Sequence, residues 1–430
     1  IVEVDNNGVI KGISDGKTGV KITDTTTNIE TVAQVIVGER NSNIYKISAG
    51  VNHTIALKND GTVWSWGDNT YGQLGDGGVL ASETENPIQV SGVNGSKYLS
   101  DVVDIASGTY FSIALLKNGN VVAWGLNNDG QLGNIGEISR KPVFVMDYNG
   151  NKLSGIVGIS ASRNHAIAVR ADGTVFTWGS NDYGQLGNNT KTSSAYAIQV
   201  LDSTGNDYLK DVVQVSAGAA YVSVVKNDGT VWSWGAGASA QMGDGARTQR
   251  SLPVQAKNVT DVKKVATGCY ITLVLKNDGT VWAWGLNRYG QLGIGVSSTS
   301  SSNANYVRTT AVQVKLNSTD YLTDVVDIGT AYESSFAVTS DGTAYAWGLN
   351  NYNQLGIITS SNVNLPNKCL RRYYNELEPK IIGLFSNSEP AYTNYMIRED
   401  GSILSCGKSD NGQLLDGGTY ETRAYIEDVR

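Results

Sequence analysis

The stretch Asp60-Gly61-Thr62-Val63-Trp64-Ser65-Trp66-Gly67-Asp68-Asn69-Thr70-Tyr71-Gly72-Gln73-Leu74-Gly75 decides the fold, because its parts recur along the chain. The closing triplet returns as Gln131-Leu132-Gly133, Gln185-Leu186-Gly187, Gln241-Met242-Gly243, Gln291-Leu292-Gly293, Gln354-Leu355-Gly356 and Gln413-Leu414-Leu415. That makes seven copies, about one every 50–60 residues. A Trp-Gly pair precedes six of them, at Trp66, Trp124, Trp178, Trp234, Trp284 and Trp347, and the seventh has Cys406-Gly407. A fixed period of this length is the mark of a repeat architecture.

Working outward from Asp60-Gly61, one unit reads as four strands. Tyr45-Lys46-Ile47-Ser48-Ala49-Gly50 is a short strand ending in Gly, and His53-Thr54-Ile55-Ala56-Leu57-Lys58 is the second. Asp60-Gly61 supplies the positive-φ residues of a tight hairpin. Thr62–Gly67 is the third strand, and Pro87-Ile88-Gln89-Val90 is the fourth, with Pro suited to a strand start or edge. Seven such units arranged radially predict an all-β, seven-bladed β-propeller with four-stranded antiparallel blades. A lone blade leaves both faces bare, so the ring stands only when neighbours cover each other.

The pattern Gly-x-x-His-Thr-x-Ala-Leu (residues 50–57), Asp-Gly-x-Val-x-x-Trp-Gly and Gln-Leu-Gly resembles the regulator of chromosome condensation repeat family. The resemblance covers residues 39–430 and implies the propeller fold. It does not carry the family's nucleotide-exchange function to any residue, since sites are grafted onto folds. Residues 1–38 read as short strands with Gly turns and resemble the C-terminal half of a bacterial group 2 immunoglobulin-like domain. Half a sandwich lacks its usual core, so this segment either packs on the propeller or lends it a strand. Ala33-Gln34-Val35 and Ala424-Tyr425-Ile426-Glu427-Asp428-Val429 compete as the strand that closes the ring. The opening Ile1-Val2-Glu3-Val4 has no signal pattern and reads as part of a longer polypeptide.

Composition narrows the function. The formal net charge is −7, with no long run of like charge and no basic stripe, which disfavours nucleic acid. No apolar stretch is long enough for a membrane helix, so no membrane insertion is expected. The only histidines, His53 and His165, hold equivalent places in units one and three, with a blade between them. They read as structural strand-start residues, and no catalytic motif accompanies them. The Asn-Asp-Gly-Thr turns lack the carboxylate-rich loop of a calcium site. Cys269, Cys369 and Cys406 show no zinc spacing, although a Cys269–Cys369 bridge is conceivable. Cys406 stands where a core Trp is expected and should loosen the seventh blade. No catalytic residue, metal or cofactor is therefore assigned, and the chain is expected not to be an enzyme.

Positions that vary within a repeat are free for binding, and loops on a rigid frame are usual recognition elements. The turn after the first strand reads Val51-Asn52, Thr109-Tyr110, Arg163-Asn164, Ala219-Ala220, Cys269-Tyr270, Ala331-Tyr332 and Ala391-Tyr392. Tyr110, Tyr270, Tyr332 and Tyr392 fall in its second slot, Phe111 and Tyr221 follow one residue later, and Glu333 follows Tyr332. Equivalent positions on a ring lie on a circle, so these residues with Arg163 form a candidate partner-binding arc. Tyr combines area, a polar tip and little entropy loss, which suits a protein or glycan partner. The same tyrosines could equally fill gaps between loops and channel. Residues 294–310 are Ser/Thr/Asn-rich, and residues 357–380 contain Cys369-Leu370-Arg371-Arg372-Tyr373-Tyr374. The expected function is a non-enzymatic binding or adhesion module of a bacterial surface or secreted protein, extracellular in location. The alternatives are a secreted inhibitor, as the resemblance to β-lactamase-inhibiting propellers implies, or a structural spacer.

Overall fold

In the computed structural model, Asp60-Gly61 turns the chain between strands His53–Lys58 and Val63–Asp68, and the same hairpin recurs around a ring. The structure describes residues 44–79, 83–357, 359–369, 380–385, 392–399, 401–409, 414 and 422–428, with strands at 2–4, 10–12, 16–23 and 30–37. Two compact units divide the chain, Ile1–Asn43 and Ile44–Arg430. The first contains two separate antiparallel hairpins, Val2–Val4 with Ile10–Gly12 and Gly16–Thr23 with Glu30–Val37.

The second unit is the seven-bladed propeller. Its blades span residues 44–89, 102–144, 156–199, 212–255, 262–313, 325–368 and 381–428, each four antiparallel strands in sequence order. The closing strand is settled by pairing. Thr422–Asp428 pairs with Ile403–Lys408 as the fourth strand of blade 7, whereas Ala33-Gln34-Val35 pairs within its own hairpin. Every blade is thus cut from one contiguous segment. Blade 7 meets blade 1 through side chains: Tyr395 and Ile397 pack with Ile47, Ala56 and Trp66, and Thr54 Oγ1 lies 3.2 Å from Tyr395 OH.

The repeated residues hold neighbouring blades together. Each indole N–H reaches back one blade to the carbonyl of the preceding triplet Gln: Trp124 to Gln73, Trp178 to Gln131, Trp234 to Gln185, Trp284 to Gln241 and Trp347 to Gln291, at 2.8–2.9 Å. These tryptophans are fully buried, so a donor without that carbonyl would be orphaned in an apolar core. In blade 7 Cys406 Sγ takes the same carbonyl, on Gln354, at 3.2 Å. Asn394, which pairs across from Cys406, donates to it as well at 2.6 Å. Across from Trp66, Trp124, Trp178, Trp234, Trp284 and Trp347 sit only Thr54, Ser112, Ala166, Val222, Thr272 and Ser335. Asn394 thus gives the Gln354 carbonyl a second donor in place of the missing indole N–H. Trp64, Trp232 and Trp282 differ from the other six: they are half-buried near the hairpin turns, where their N–H groups bond Thr62, Thr230 and Thr280.

Prolines mark the outer edge. Pro87, Pro142, Pro253 and Pro366 all lie in fourth strands, where no further strand needs their missing N–H. The ladder skips the Trp of the Trp-Gly pair in each of these blades.

Candidate functional site: the loop face of the ring

Alternating strand direction puts the turn after the first strand and the loop after the third strand on one face. The Asp-Gly hairpins fall on the other. On the loop face the third-strand loop is pinned by one buried Asn. Asn69, Asn127, Asn181, Asn287 and Asn350 each accept the N–H of the triplet Leu through Oδ1. The triplet Gln then accepts the N–H two residues before it, at Tyr71, Asp129, Tyr183, Ser239, Tyr289 and Tyr352. These two bonds fix the loop rigidly beside the first turn of the next blade.

The first turn exists in two forms. In blades 1, 2, 4 and 5 a Gly N–H bonds the carbonyl three residues on, as from Gly50 to His53 and Gly108 to Phe111. A Cβ at Gly50, Gly108 or Gly218 would overlap the ring of His53, Phe111 or Tyr221. In blades 3 and 6 the Gly is replaced by Ser162 and Ala331, and the strands run one residue further. Ser162 pairs with His165 and Ala331 with Ser334, leaving two-residue turns. Arg163 and Tyr332 adopt positive φ there, 43° and 50°. Tyr332 is consequently the first turn residue, not the second, and Glu333 takes the place held by Tyr110 and Tyr270 elsewhere.

The predicted arc assembles only in part. Phe111 and Tyr221 leave it: both begin second strands and are fully buried, with the Tyr221 hydroxyl donating to the Ile271 carbonyl at 2.5 Å. Their rings turn inward onto Gly108 and Gly218 because alternation along the strand points that position at the adjacent blade. Tyr110 stands apart, its ring 5.0 Å from Tyr71 between blades 1 and 2. Arg163 lies in a separate recess of about 200 Å³ with Asp129, Asn164, Asp182 and Tyr183. Cys269 is buried in the first turn of blade 5. The three cysteines are free, so the Cys269–Cys369 bridge does not form. Of the segment 369–374 only Cys369 is described, with its thiol 3.4 Å from the Leu355 carbonyl; residues 370–374 lie outside the described residues. The Ser/Thr/Asn-rich connection is tied to blade 5 by the Asn287 side-chain amide, which donates to the carbonyls of Val296 and Asn305.

Tyr270, Tyr332, Glu333 and Tyr392 do come together, across blades 5, 6 and 7. The Tyr392 ring lies 5.3 Å from Tyr332 and 4.4 Å from Tyr352. Glu333 is fully buried and accepts from Arg288 Nη2 at 2.8 Å and Nε at 3.2 Å, both through Oε2. Burial pushes its carboxyl above the usual range despite Arg288. Its charge in turn helps raise all three phenols. Tyr270 is pushed up to about 12, first by Cys269, then by burial and by Glu333. Tyr332 and Tyr392 rise mainly through burial, with Glu333 adding to each. Arg288 also lies over the Tyr289 ring at 4.7 Å, and Lys408 over Tyr352 at 5.5 Å.

Arg288, Tyr289 and Tyr352 were not among the expected site residues. A signal for the two tyrosines exists: Tyr recurs two residues before the triplet Gln at Tyr71, Tyr183, Tyr289 and Tyr352. This is a second circle of tyrosines, on the loop that adjoins the first turn of the next blade.

The opposite face and the channel have another character. Four of the seven second positions of the inner strands are exposed valines, Val103, Val157, Val213 and Val326, and Tyr98, Tyr208 and Tyr321 are exposed just before the inner strands of blades 2, 4 and 6. A cavity of about 390 Å³ runs along the inner strands, where Lys46 pairs with Asp104 and Lys264 with Asp327. The two histidines are fully buried and held neutral, their pKa lowered by burial to about 4. His53 Nε2 bonds Ser112 of the next blade at 2.9 Å, and His165 lies against the Tyr221 backbone. Among the described residues no group of three or more His, Cys, Asp or Glu could hold a metal ion, and no helix is long and apolar enough to cross a membrane.

Comparison with known proteins agrees with this architecture. The chain is 34% identical over 223 residues to the human probable E3 ubiquitin-protein ligase HERC6, covering 51% of this chain and 20% of that one. It is 32% identical over 245 residues to human E3 ubiquitin-protein ligase HERC2, covering 54% and 5%. The matched region thus spans a fifth or less of these relatives. Human WBSCR16 superposes with a TM-score of 0.68 at 21% identity, covering 86% of this chain and 94% of that chain. Prp20p of Saccharomyces cerevisiae superposes with a TM-score of 0.69 at 21% identity, covering 87% of each. Models of the regulator of chromosome condensation (RCC1) repeat match residues 44–73, 102–131 and 60–115, and the RCC1-like domain model matches residues 137–428. With that match spanning more than half of its length, the chain belongs to the RCC1-like domain family.

Proposed function

We propose that this ring is a non-enzymatic recognition module that binds a protein partner through its loop face. The observation that carries the reading is the ring cluster Tyr332, Tyr352 and Tyr392, half-buried where two first turns meet a pinned third-strand loop, with half-buried Tyr270 in the first turn of blade 5. Rigid aromatic anchors of this kind give large contact area with little ordering entropy. Family members support it: one solved structure concerns binding of Prp20p to Gsp1p and histones, and another shows Kap60 bound to yeast RCC1. The enclosed, neutral histidines are poor surface proton shuttles, which fits a binding rather than a catalytic role. The setting we propose is a bacterial surface or secreted protein, on the resemblance of residues 1–38 to immunoglobulin-like repeats. Fractionation of the native protein tests that setting, and recovery in the cytosol overturns it.

A second reading places the contact on the opposite face, favoured by exposed Val103, Val213, Val326, Tyr98, Tyr208 and Tyr321. Partners captured on the intact ring, identified and then titrated one by one, separate the two. Tyr270→Ala/Tyr332→Ala/Tyr392→Ala should weaken binding at least about 100-fold if the loop face is used, since hot-spot truncations of 2 kcal/mol or more are typical of buried aromatics. Unchanged binding in that variant, with loss in Val103→Ser/Val213→Ser/Val326→Ser, moves the site to the other face. A glycan ligand would appear as binding to deglycosylation-sensitive material.

A further inference from the structure

Glu333 carries a feature that the recognition reading does not require. Its side chain is fully buried, yet only one of its two oxygens is bonded. Arg288 spends Nε and Nη2 on Oε2, and Oε1 accepts no hydrogen bond. Buried carboxylate oxygens are rarely left unbonded, because desolvation is uncompensated there. The unbonded amide nitrogens of Gln131, Gln291 and Gln354 recur in three blades and belong to the scaffold. Among the described residues Glu333 is the only carboxylate with such a buried, unbonded oxygen. The equivalent turn position in blade 3, Asn164, is satisfied by Asp129 at 2.7 Å.

The surroundings select the missing group. Tyr332 adjoins Glu333 in the same turn and packs its ring on Tyr392, Arg288 ties the carboxylate to the blade 5 loop, and the Glu333 charge reaches Tyr270 as well. Ring faces attract cations, and this chain already lays Arg288 over Tyr289 and Lys408 over Tyr352 at the same place. An anion would meet a carboxylate and three phenols, while Arg288, the nearest cation, is already engaged in two bonds.

We propose that this junction opens to receive a lysine or arginine side chain of the protein partner, with Glu333 Oε1 as its counter-charge and Tyr270, Tyr332 and Tyr392 as the flanking rings. This deepens the loop-face reading and rests on it. Entry requires Arg288, which is about one-third exposed, to shift aside while keeping its bond to Oε2.

The test uses the intact chain labelled with 3-fluorotyrosine, its ¹⁹F signals assigned by Tyr→Phe variants. The probes are the N-acetyl methylamides of arginine, lysine, citrulline and glutamate. The arginine and lysine probes should shift the signals of Tyr270, Tyr332 and Tyr392 and leave Tyr71 and Tyr110 unmoved. Citrulline and glutamate should shift none of the five. Glu333→Gln should weaken the arginine effect at least tenfold, and the unmoved Tyr110 signal reports that the variant is folded. Tyr332→Phe, which keeps the ring, should retain the effect and so guards against a folding artefact. Equal shifts with citrulline or glutamate, or an arginine effect that survives Glu333→Gln, overturn the proposal. If the triple Tyr→Ala variant loses the protein partner while Glu333→Gln keeps it, the loop-face reading stands and this inference falls.

Discussion

Blades 3 and 6 share a turn that the other described blades lack, yet they fill it with opposite chemistry. Both replace the Gly after the first strand, by Ser162 and Ala331, and both hold a non-Gly residue at positive φ, Arg163 and Tyr332. Both contact the third-strand loop of the preceding blade through the second turn residue. In blade 3 that contact is the neutral Asn164 on the Asp129 carboxylate; in blade 6 it is a buried Glu333 under Arg288. The second strand opens with buried His165 in one and Ser334 in the other. One backbone solution therefore supports a neutral Asn contact in one place, beside the unbonded Ser162 hydroxyl and His165 ring, and an under-satisfied charge in another. The frame fixes where side chains meet, and the side chains alone decide whether the second turn residue is neutral or carries a buried charge.

Acid should separate the two junctions most strongly. His165 is held neutral with its pKa lowered from 6.5 to about 4, so the unfolded chain binds more protons between those values. Stability is therefore lost as pH falls through that window, by about 3 kcal/mol for this one group. Glu333 has the opposite sign: its raised pKa makes the folded chain bind more protons, so it penalises folding above its folded pKa and ceases to do so below the unfolded value. Urea melts at pH 7 and pH 4 check both. His165→Ser, which copies blade 6, should shrink the loss between the two pH values, and Glu333→Gln should enlarge it. An unchanged difference for His165→Ser would break the comparison.

Removing the partners comes next in size. Arg288→Met strands the buried carboxylate and should cost about 2–3 kcal/mol, somewhat below a fully buried pair because Arg288 is partly exposed. Asn164→Ala should cost less than about 1 kcal/mol, since Asp129 regains water. Equal losses would show that Glu333 is not the more demanding junction.

The smallest effect concerns the turns themselves. Arg163→Gly relieves a positive φ and should be neutral or stabilising by up to about 1 kcal/mol. Tyr332→Gly relieves the same strain but forfeits the ring contact with Tyr392, so it should be destabilising by about 1 kcal/mol. Thermal melts of the pair give the sign directly.

Much of the ring was legible in advance because its determinants are local. Asp60-Gly61 and its copies dictate hairpins, and Trp-Gly followed by Gln-Leu-Gly repeats at one spacing. The site was less legible. Phe111 and Tyr221 looked like face residues, but strand alternation turns them into the adjacent blade, where Gly108 and Gly218 make room. Tyr332 looked like the equal of Tyr110, but the exchange of Gly for Ala331 lengthened the strand and moved Tyr332 one place back. Arg288 went unnoticed because its partner lies 45 residues away, on the next blade.

By itself the sequence determined the strand count per blade, the number of blades and the residues that seal them, since each follows from turn chemistry and period within a few residues. Only the tertiary structure decided which strand closes blade 7, which tyrosines meet, and that Glu333 keeps an unbonded oxygen. Those outcomes depend on contacts between blades, and a contact between blades is set by two distant segments at once, so neither segment announces it alone.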